Sequence, residues 1–188
     1  MTSLLFRVKI VLNDLGVMHM NPVKTVKNDF TIRFATRKDV PLIMHFIDGI
    51  AKYENMEDEV IATEASLETS LFDKNQAEVL IGEENGAPVG FALFFESYST
   101  FKSRANIFLE DIFIEEAHRN KGYGRLLLSY LGEIALKREA KRLEWLCLDW
   151  NTPSIEFYKK MGAKPLDEWM IFRVSGDELE TLSTLYKK

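Results

Sequence analysis

The segment Arg119-Asn120-Lys121-Gly122-Tyr123-Gly124 could do chemistry through its backbone. Two closely spaced glycines between a strand and a helix let successive N–H groups crowd around an anion, and the helix N-terminus adds partial positive charge. Arg119 can supply a full charge, and a pyrophosphate is the natural ligand. Neither GxGxxG nor GxxxxGK[ST] occurs, so dinucleotide-fingerprint and P-loop chemistry do not fit. The same pattern also serves where a glycine-rich loop only starts a helix.

Other reactive side chains are sparse. Glu110 and Asp111 are neighbours in a strand, so alternation sends them to opposite faces and leaves one to face a reaction centre. Strand-end acids also commonly pair with arginine. Cys147 alternates with Leu143 and Trp145, has no His-Asp pair beside it, and is expected in the core. His118 is expected at the surface. The single cysteine excludes an internal disulfide, and three scattered histidines without HExxH give no metal site.

The elements that must position these groups alternate strand and helix. Thr31–Ala35 has strand periodicity, Thr36–Asp39 is a helix-start cluster, and Val40–Tyr53 has helical spacing. Ala62–Phe72 reads as a shorter helix with Leu67 and Leu71 inward. Glu78–Gly82 and Pro88–Glu96 read as strands, and the Asn85-Gly86 between them signals a hairpin, because both residues tolerate positive φ. A polar loop over 98–105 precedes a central strand, Asn106–Ile114. Gly122–Glu139 is a long amphipathic helix and Arg142–Trp150 a strand. Pro153–Met161 is a short helix with Thr152 at its N-cap, ended by Gly162. Glu168–Val174 reads as a last strand and Gly176–Leu185 as a terminal helix, whose Leu179, Leu182 and Leu185 suit core packing or a subunit contact. The sum is an α/β domain with a mixed sheet over 31–188. Residues 1–30 stand apart as an extension, an over-long start with Met20 as initiator, or an extra strand or partner contact.

Size and charge bound the function. The 188 residues suit one domain. A net charge of −5 argues against nucleic acid or an anionic membrane as partner and suits a cationic one. No apolar run is long enough for a membrane helix, and Arg7 and Lys9 interrupt the N-terminal apolar block, so neither a span nor a secretory signal is read and a cytoplasmic setting is expected.

In this context Arg119-x-x-Gly122-x-Gly124 resembles the acetyl-CoA loop of the GNAT N-acetyltransferases, and Asn151-Thr152-Pro153-Ser154 through Phe157-Tyr158 to Gly162-Ala163 resembles their second motif. Ala51–Glu57, Leu109–Ile114 and Asp149–Ser154 are similar to segments of the diamine (spermidine/spermine) and thialysine acetyltransferase branch. The resemblance spans about 31–185 and implies a mixed, mostly antiparallel sheet flanked by helices. It implies acetyl-CoA as cosubstrate, held by Arg119, Asn120, Lys121, Gly122, Tyr123, Gly124 and Arg125, by Asn151, Thr152, Pro153, Ser154 and Tyr158, and by the backbone of Ile112, Phe113 and Ile114. It implies Glu110 as the base for the amine and Tyr158 as the proton donor to the leaving thiolate. Tyr53, Glu54, Glu110 and Asp111 would line the amine pocket, with Glu144, Trp145 and Leu146 as further candidates. The expected substrate is a small cationic amine, either a polyamine or a thialysine-like amino acid, and the expected assembly a homodimer. A CoA-binding module without catalysis and a protein N-acetyltransferase stand as alternatives.

Overall fold

The computed structural model describes residues 21–187, which fall into two compact units divided between Leu146 and Cys147. Most of the 1–30 extension therefore lies outside the described residues, His19 and Met20 among them.

The first unit is built on a six-stranded sheet in sequential order. Its strands are β1 (Val23–Lys24), β2 (Phe30–Phe34), β3 (Glu78–Glu84), β4 (Ala87–Ser99), β5 (Arg104–Ile114) and β6 (Leu143–Trp145). The first five pair antiparallel and β6 joins β5 in parallel, which bears out the mixed, mostly antiparallel sheet. The sheet starts earlier than Thr31. Phe30 is fully buried, and Val23 and Lys24 pair with Ile32 and Thr31. Asn85 (φ 52°) and Gly86 (φ 80°) form the hairpin turn between β3 and β4, as the dipeptide predicts. The expected loop over 98–105 shrinks to a turn, because β4 runs on to Ser99 and β5 begins at Arg104.

Two helices cover one face of the sheet. Helix α1 (Val40–Glu54) follows an Arg33–Asp39 ion pair that ties its start to β2. The short α2 (Glu64–Glu68) carries a Thr63–Ser66 capping box and passes into a π-turn over Thr69–Asp73. Ile43 and Phe46 of α1 pack with Leu67, Leu71, Ile81 and Phe91. The opposite face is covered by α3 (Tyr123–Lys137), whose Leu127, Leu131 and Ile134 are buried.

An irregularity in β5 decides what the two faces present. Leu93 pairs with Asp111 but Phe94 pairs with Leu109, so Glu110 is an extra residue, a β-bulge. Cross-strand partners share a face. Asp111 therefore lies with Leu93 and Phe113 on the α1 face, whereas Leu109 lies with Phe94 on the α3 face. The bulge breaks the alternation along the strand, so Leu109 and Asp111 fall on opposite faces although two residues apart. The parallel ladder with β6 also ends at the bulge, at Leu109 and Trp145. That is why the strand expected over 142–150 stops after Trp145. Cys147, expected in the core, is exposed.

The second unit contains α4 (Thr152–Lys160) and α5 (Gly176–Leu182). Asn151, not Thr152, caps α4. Its Oδ1 accepts the Ser154 N–H at 3.3 Å, which moves Thr152 and Pro153 into the first turn. Gly162 follows the helix at φ 91°. The strand expected over 168–174 does not form among the described residues: the segment joins no ladder with any of them, and Trp169, Met170, Ile171 and Phe172 are exposed. Period-two patterning makes a strand only where a ladder partner exists. The terminal helix is shorter than expected, and Leu179, Leu182 and Leu185 are half exposed.

Candidate active site

The loop between β5 and α3 is shaped to receive an anion. Asn120 (φ 63°) and Gly122 (φ 84°) take left-handed conformations, which turns neighbouring N–H groups toward one side. The N–H groups of Asn120 through Arg125 have no hydrogen-bond partner among the described residues. The first intrahelical bond is Leu126 N–H to the Gly122 carbonyl, at 3.2 Å. A row of free donors at the start of a 15-residue helix fits the pyrophosphate of a CoA thioester.

Four side chains of this loop are committed elsewhere: those of His118, Arg119, Lys121 and Tyr123. Arg119 Nε donates to the Ile114 carbonyl at 2.9 Å, and the guanidinium lies 5.0 Å from the Tyr53 ring and 5.5 Å from the Phe113 ring. Lys121 Nζ donates to both oxygens of Glu84, at 2.8 and 3.0 Å. The Tyr123 hydroxyl donates to the same carboxylate, and His118 Nδ1 meets its other oxygen. Lys121, then Tyr123 and His118, hold the Glu84 carboxyl down to about 2. His118 is thus half buried against Glu84, where a surface position was expected. Glu84 anchors this loop, and sequence reasoning missed it. It stands immediately before the Asn85-Gly86 turn, and only the fold brings it to the loop.

Beside the loop, Ile112–Ile114 pairs with β4 on one edge, and no strand pairs with it on the other among the described residues. The bulge ends the β6 ladder before this stretch, which leaves backbone groups able to bind an extended amide arm as an added strand would.

Three carboxylates gather on the α1 side. Tyr53 and Glu54 end α1, where the helix carbonyls add partial negative charge. Burial raises the Glu54 carboxyl above its usual range. Asp111 is pushed up to about 6, first by burial and then by the negative charges of Glu110 and Glu54. Glu110, the bulge residue, is exposed. An acidic cluster that repels its own charge is suited to a cation. Glu144 receives Arg142 Nη1 at 3.4 Å, Trp145 pairs with Leu109, and Leu146 is exposed.

In the second unit, the predicted residues from Asn151 through Ser154 form the start of α4, and Tyr158 lies half buried further along it. Its ring packs 5.2 Å from that of Phe157. The Tyr158 carbonyl accepts the Ala163 N–H at 3.1 Å, which closes the helix end before Gly162 exits.

Comparison with known proteins agrees with this geometry. Residues 47–163 match the model of the Acetyltransferase (GNAT) family. The chain is 35% identical over 164 residues to the thialysine N-epsilon-acetyltransferase of Bos taurus, covering 81% of this chain and 96% of that protein. It is 30% identical over 200 residues to L-ornithine N5-acetyltransferase NATA1 of Arabidopsis thaliana, covering 82% and 88%. Among solved structures it superposes on the integron cassette protein VCH_CASS6 of V. cholerae with a TM-score of 0.70 and 25% identity, covering 82% of this chain and 98% of that one. The chain belongs to the GNAT acetyltransferase family, and it is an N-acetyltransferase that draws its acetyl group from acetyl-CoA.

Proposed function

We propose that this enzyme acetylates the terminal primary amine of a small cationic substrate, a thialysine- or ornithine-like amino acid or a short polyamine. The carrying observation is the carboxylate group of Glu54, Glu110 and Asp111, in which Asp111 is raised first by burial and then by the charges of Glu110 and Glu54. The names of the two relatives, thialysine and ornithine acetyltransferases, favour an amino acid with a side-chain amine.

A primary alkylamine has a pKa of ~10 and arrives as an ammonium ion. Glu54 and Asp111 neutralise that charge and orient the amine. Glu110 takes the proton, directly or through water, and frees the nitrogen lone pair. Acetyl-CoA, when bound, supplies the thioester carbon that the nitrogen attacks. The loop amides of Asn120–Arg125 hold its pyrophosphate, the backbone of Ile112–Ile114 holds its pantetheine arm, and the start of α4 at Asn151–Ser154 adds further contacts. The carbon–sulfur bond breaks, the Tyr158 hydroxyl gives its proton to the departing thiolate, and the second proton lost by the attacking nitrogen passes through water to restore the tyrosine.

The reading includes a cytoplasmic homodimer. The exposed thiol of Cys147 suits a reducing compartment. The exposed apolar run Trp169–Phe172 suits contact with a second copy. Light scattering on the purified protein at several concentrations reads the oligomeric state.

The activity is tested by free-thiol release from acetyl-CoA against thialysine, ornithine, lysine, putrescine, spermidine and a short peptide. Turnover of one small amine, lost in Tyr158→Phe with CoA affinity intact, supports the proposal. Turnover of the peptide alone would replace the small-amine reading with protein acetylation. CoA binding without turnover of any amine would leave a binding module.

A further inference from the structure

Two cations of the cofactor loop are engaged by the protein itself. Lys121 is bound to Glu84, and Arg119 is turned toward Ile114, Tyr53 and Phe113. Besides Arg125 in the row itself, a further cation stands at the donor row, and it comes from a different part of the chain. Lys27 lies in the turn between β1 and β2. A Cβ built on Gly122 would meet its Cε at 3.8 Å and no other atom within 4 Å. Lys27 has no carboxylate partner among the described residues.

The turn is built to put it there. The Thr25 hydroxyl accepts the Lys27 N–H at 3.1 Å and donates to the Phe30 carbonyl at 2.9 Å. The Phe30 N–H in turn reaches the Lys27 carbonyl at 3.1 Å. This turn is fastened to the first residue of α3. Phe30 stacks on the Tyr123 ring at 4.1 Å and 7°, and Asp29 Oδ2 lies 3.1 Å from the Tyr123 hydroxyl oxygen. Lys27 Nζ lies 5.9 Å from the centre of the same ring. The β1–β2 turn therefore carries to the N-terminus of the cofactor helix an ammonium with no carboxylate partner among the described residues.

We propose that Lys27 is a further binding residue for acetyl-CoA and that its ammonium pairs with the pyrophosphate seated on the Asn120–Arg125 amides. It lies outside the matched family region, 47–163. The demand for it is electrostatic. The chain carries a net charge of −5 and must attract a polyanion, while its own loop lysine is neutralised by Glu84. The inference rests on the use of acetyl-CoA and is independent of which amine is acetylated.

The test is calorimetric titration of the full chain, its Lys27→Gln variant and its Lys27→Arg variant with CoA and dephospho-CoA, with pantetheine read by competition. A solvent-facing ion pair made on a preorganised turn predicts that Lys27→Gln weakens CoA and dephospho-CoA alike, by about three- to tenfold. Lys27→Arg should stay near the parent, pantetheine should be unaffected, and the salt dependence of CoA binding should become shallower in Lys27→Gln. An unchanged CoA affinity in Lys27→Gln overturns the proposal. So does a loss confined to CoA, which would assign Lys27 to the 3′-phosphate, and so does an equal loss for pantetheine, which would make the residue structural. Failure of the parent chain to bind CoA at all would overturn the cofactor assignment itself.

Discussion

Leu109 and Asp111 lie two residues apart on β5 and yet on opposite faces of the sheet, because the bulge at Glu110 separates them. One residue of chain thus converts a core position under α3 into an acidic position under α1, beside Glu54. It also ends the β6 ladder and leaves the Ile112–Ile114 edge open. The bulge thus sets both the acidic position under α1 and the open backbone edge beside the loop.

Asp111 makes the first prediction. Its carboxyl is raised from the ordinary 3.8 to about 6 by burial and by the charges of Glu110 and Glu54. A raised acid binds more protons in the folded than in the unfolded chain, so stability falls as pH rises from about 3.8 to about 6 and is level above. In Asp111→Asn that slope should vanish, so the variant gains Tm relative to the parent across this window and keeps the gain at pH 8. Its kcat/KM for the amine should fall by roughly 10- to 100-fold, the range of one lost charge-assisted hydrogen bond. Melting curves from pH 3.5 to 8, beside amine kinetics, check both. An unchanged kcat/KM would remove Asp111 from the amine site.

Glu84 has the opposite sign. Lys121, Tyr123 and His118 hold it down to about 2 from an ordinary 4.5. A depressed acid contributes stability that is present above pH 4.5 and lost as pH falls toward 2. Glu84→Gln should therefore lower Tm by a constant amount between pH 6 and 8, and the gap to the parent should close below pH 4.5. A gap that persists unchanged at pH 2.5 would show that the carboxylate charge is not what holds the loop.

Arg119 distinguishes a simple phosphate ligand from a link between the two halves of the site. Its guanidinium touches Tyr53 at the end of α1 and Phe113 of β5, and its Nε holds the Ile114 carbonyl. Lysine keeps the charge but loses the planar stack and the fixed donor. Arg119→Lys should cost about 0.5–2 kcal/mol of stability and raise both the CoA Kd and the amine KM. A residue that only neutralised phosphate would be rescued by lysine and would leave the amine KM unmoved. Denaturant melts and two-substrate kinetics separate these outcomes.

Much of this was legible in the sequence because the governing signals are local. The Asn85-Gly86 turn, the inward Leu67 and Leu71, the amphipathic α3 and the mixed sheet all follow from residues a few positions apart. What was not legible depends on partners distant in the chain. The bulge at Glu110 is defined only by the register against Leu93 and Phe94. Glu84 meets Lys121 across 37 residues and Tyr123 across 39. Residues 168–174 have strand periodicity, but none of the described residues completes a ladder with them. The start of the sheet at Val23 was hidden because β1 is two residues long.

The two loop glycines should respond to the same substitution in different ways. Gly122 has φ 84°, and an added Cβ there would meet only the Lys27 side chain at 3.8 Å. The penalty for alanine is thus backbone strain, about 1–2 kcal/mol for an L-residue in the left-handed region. Asparagine tolerates that region better, so Gly122→Asn should retain more stability than Gly122→Ala. Gly124 is helical, and its Cβ would find ordinary contact with Ile114 Cγ1 at 3.9 Å. Gly124→Ala should leave Tm level or raise it slightly, since alanine favours helix by roughly 1 kcal/mol. If the row of amides seats a pyrophosphate, the new methyl in Gly124→Ala stands in its way, so CoA affinity should drop at least tenfold without loss of stability. Gly122→Ala should lose both. Thermal melts and CoA titrations on the three variants read this pattern, and a Gly124→Ala protein that binds CoA as tightly as the parent would move the phosphate off the first turn of α3.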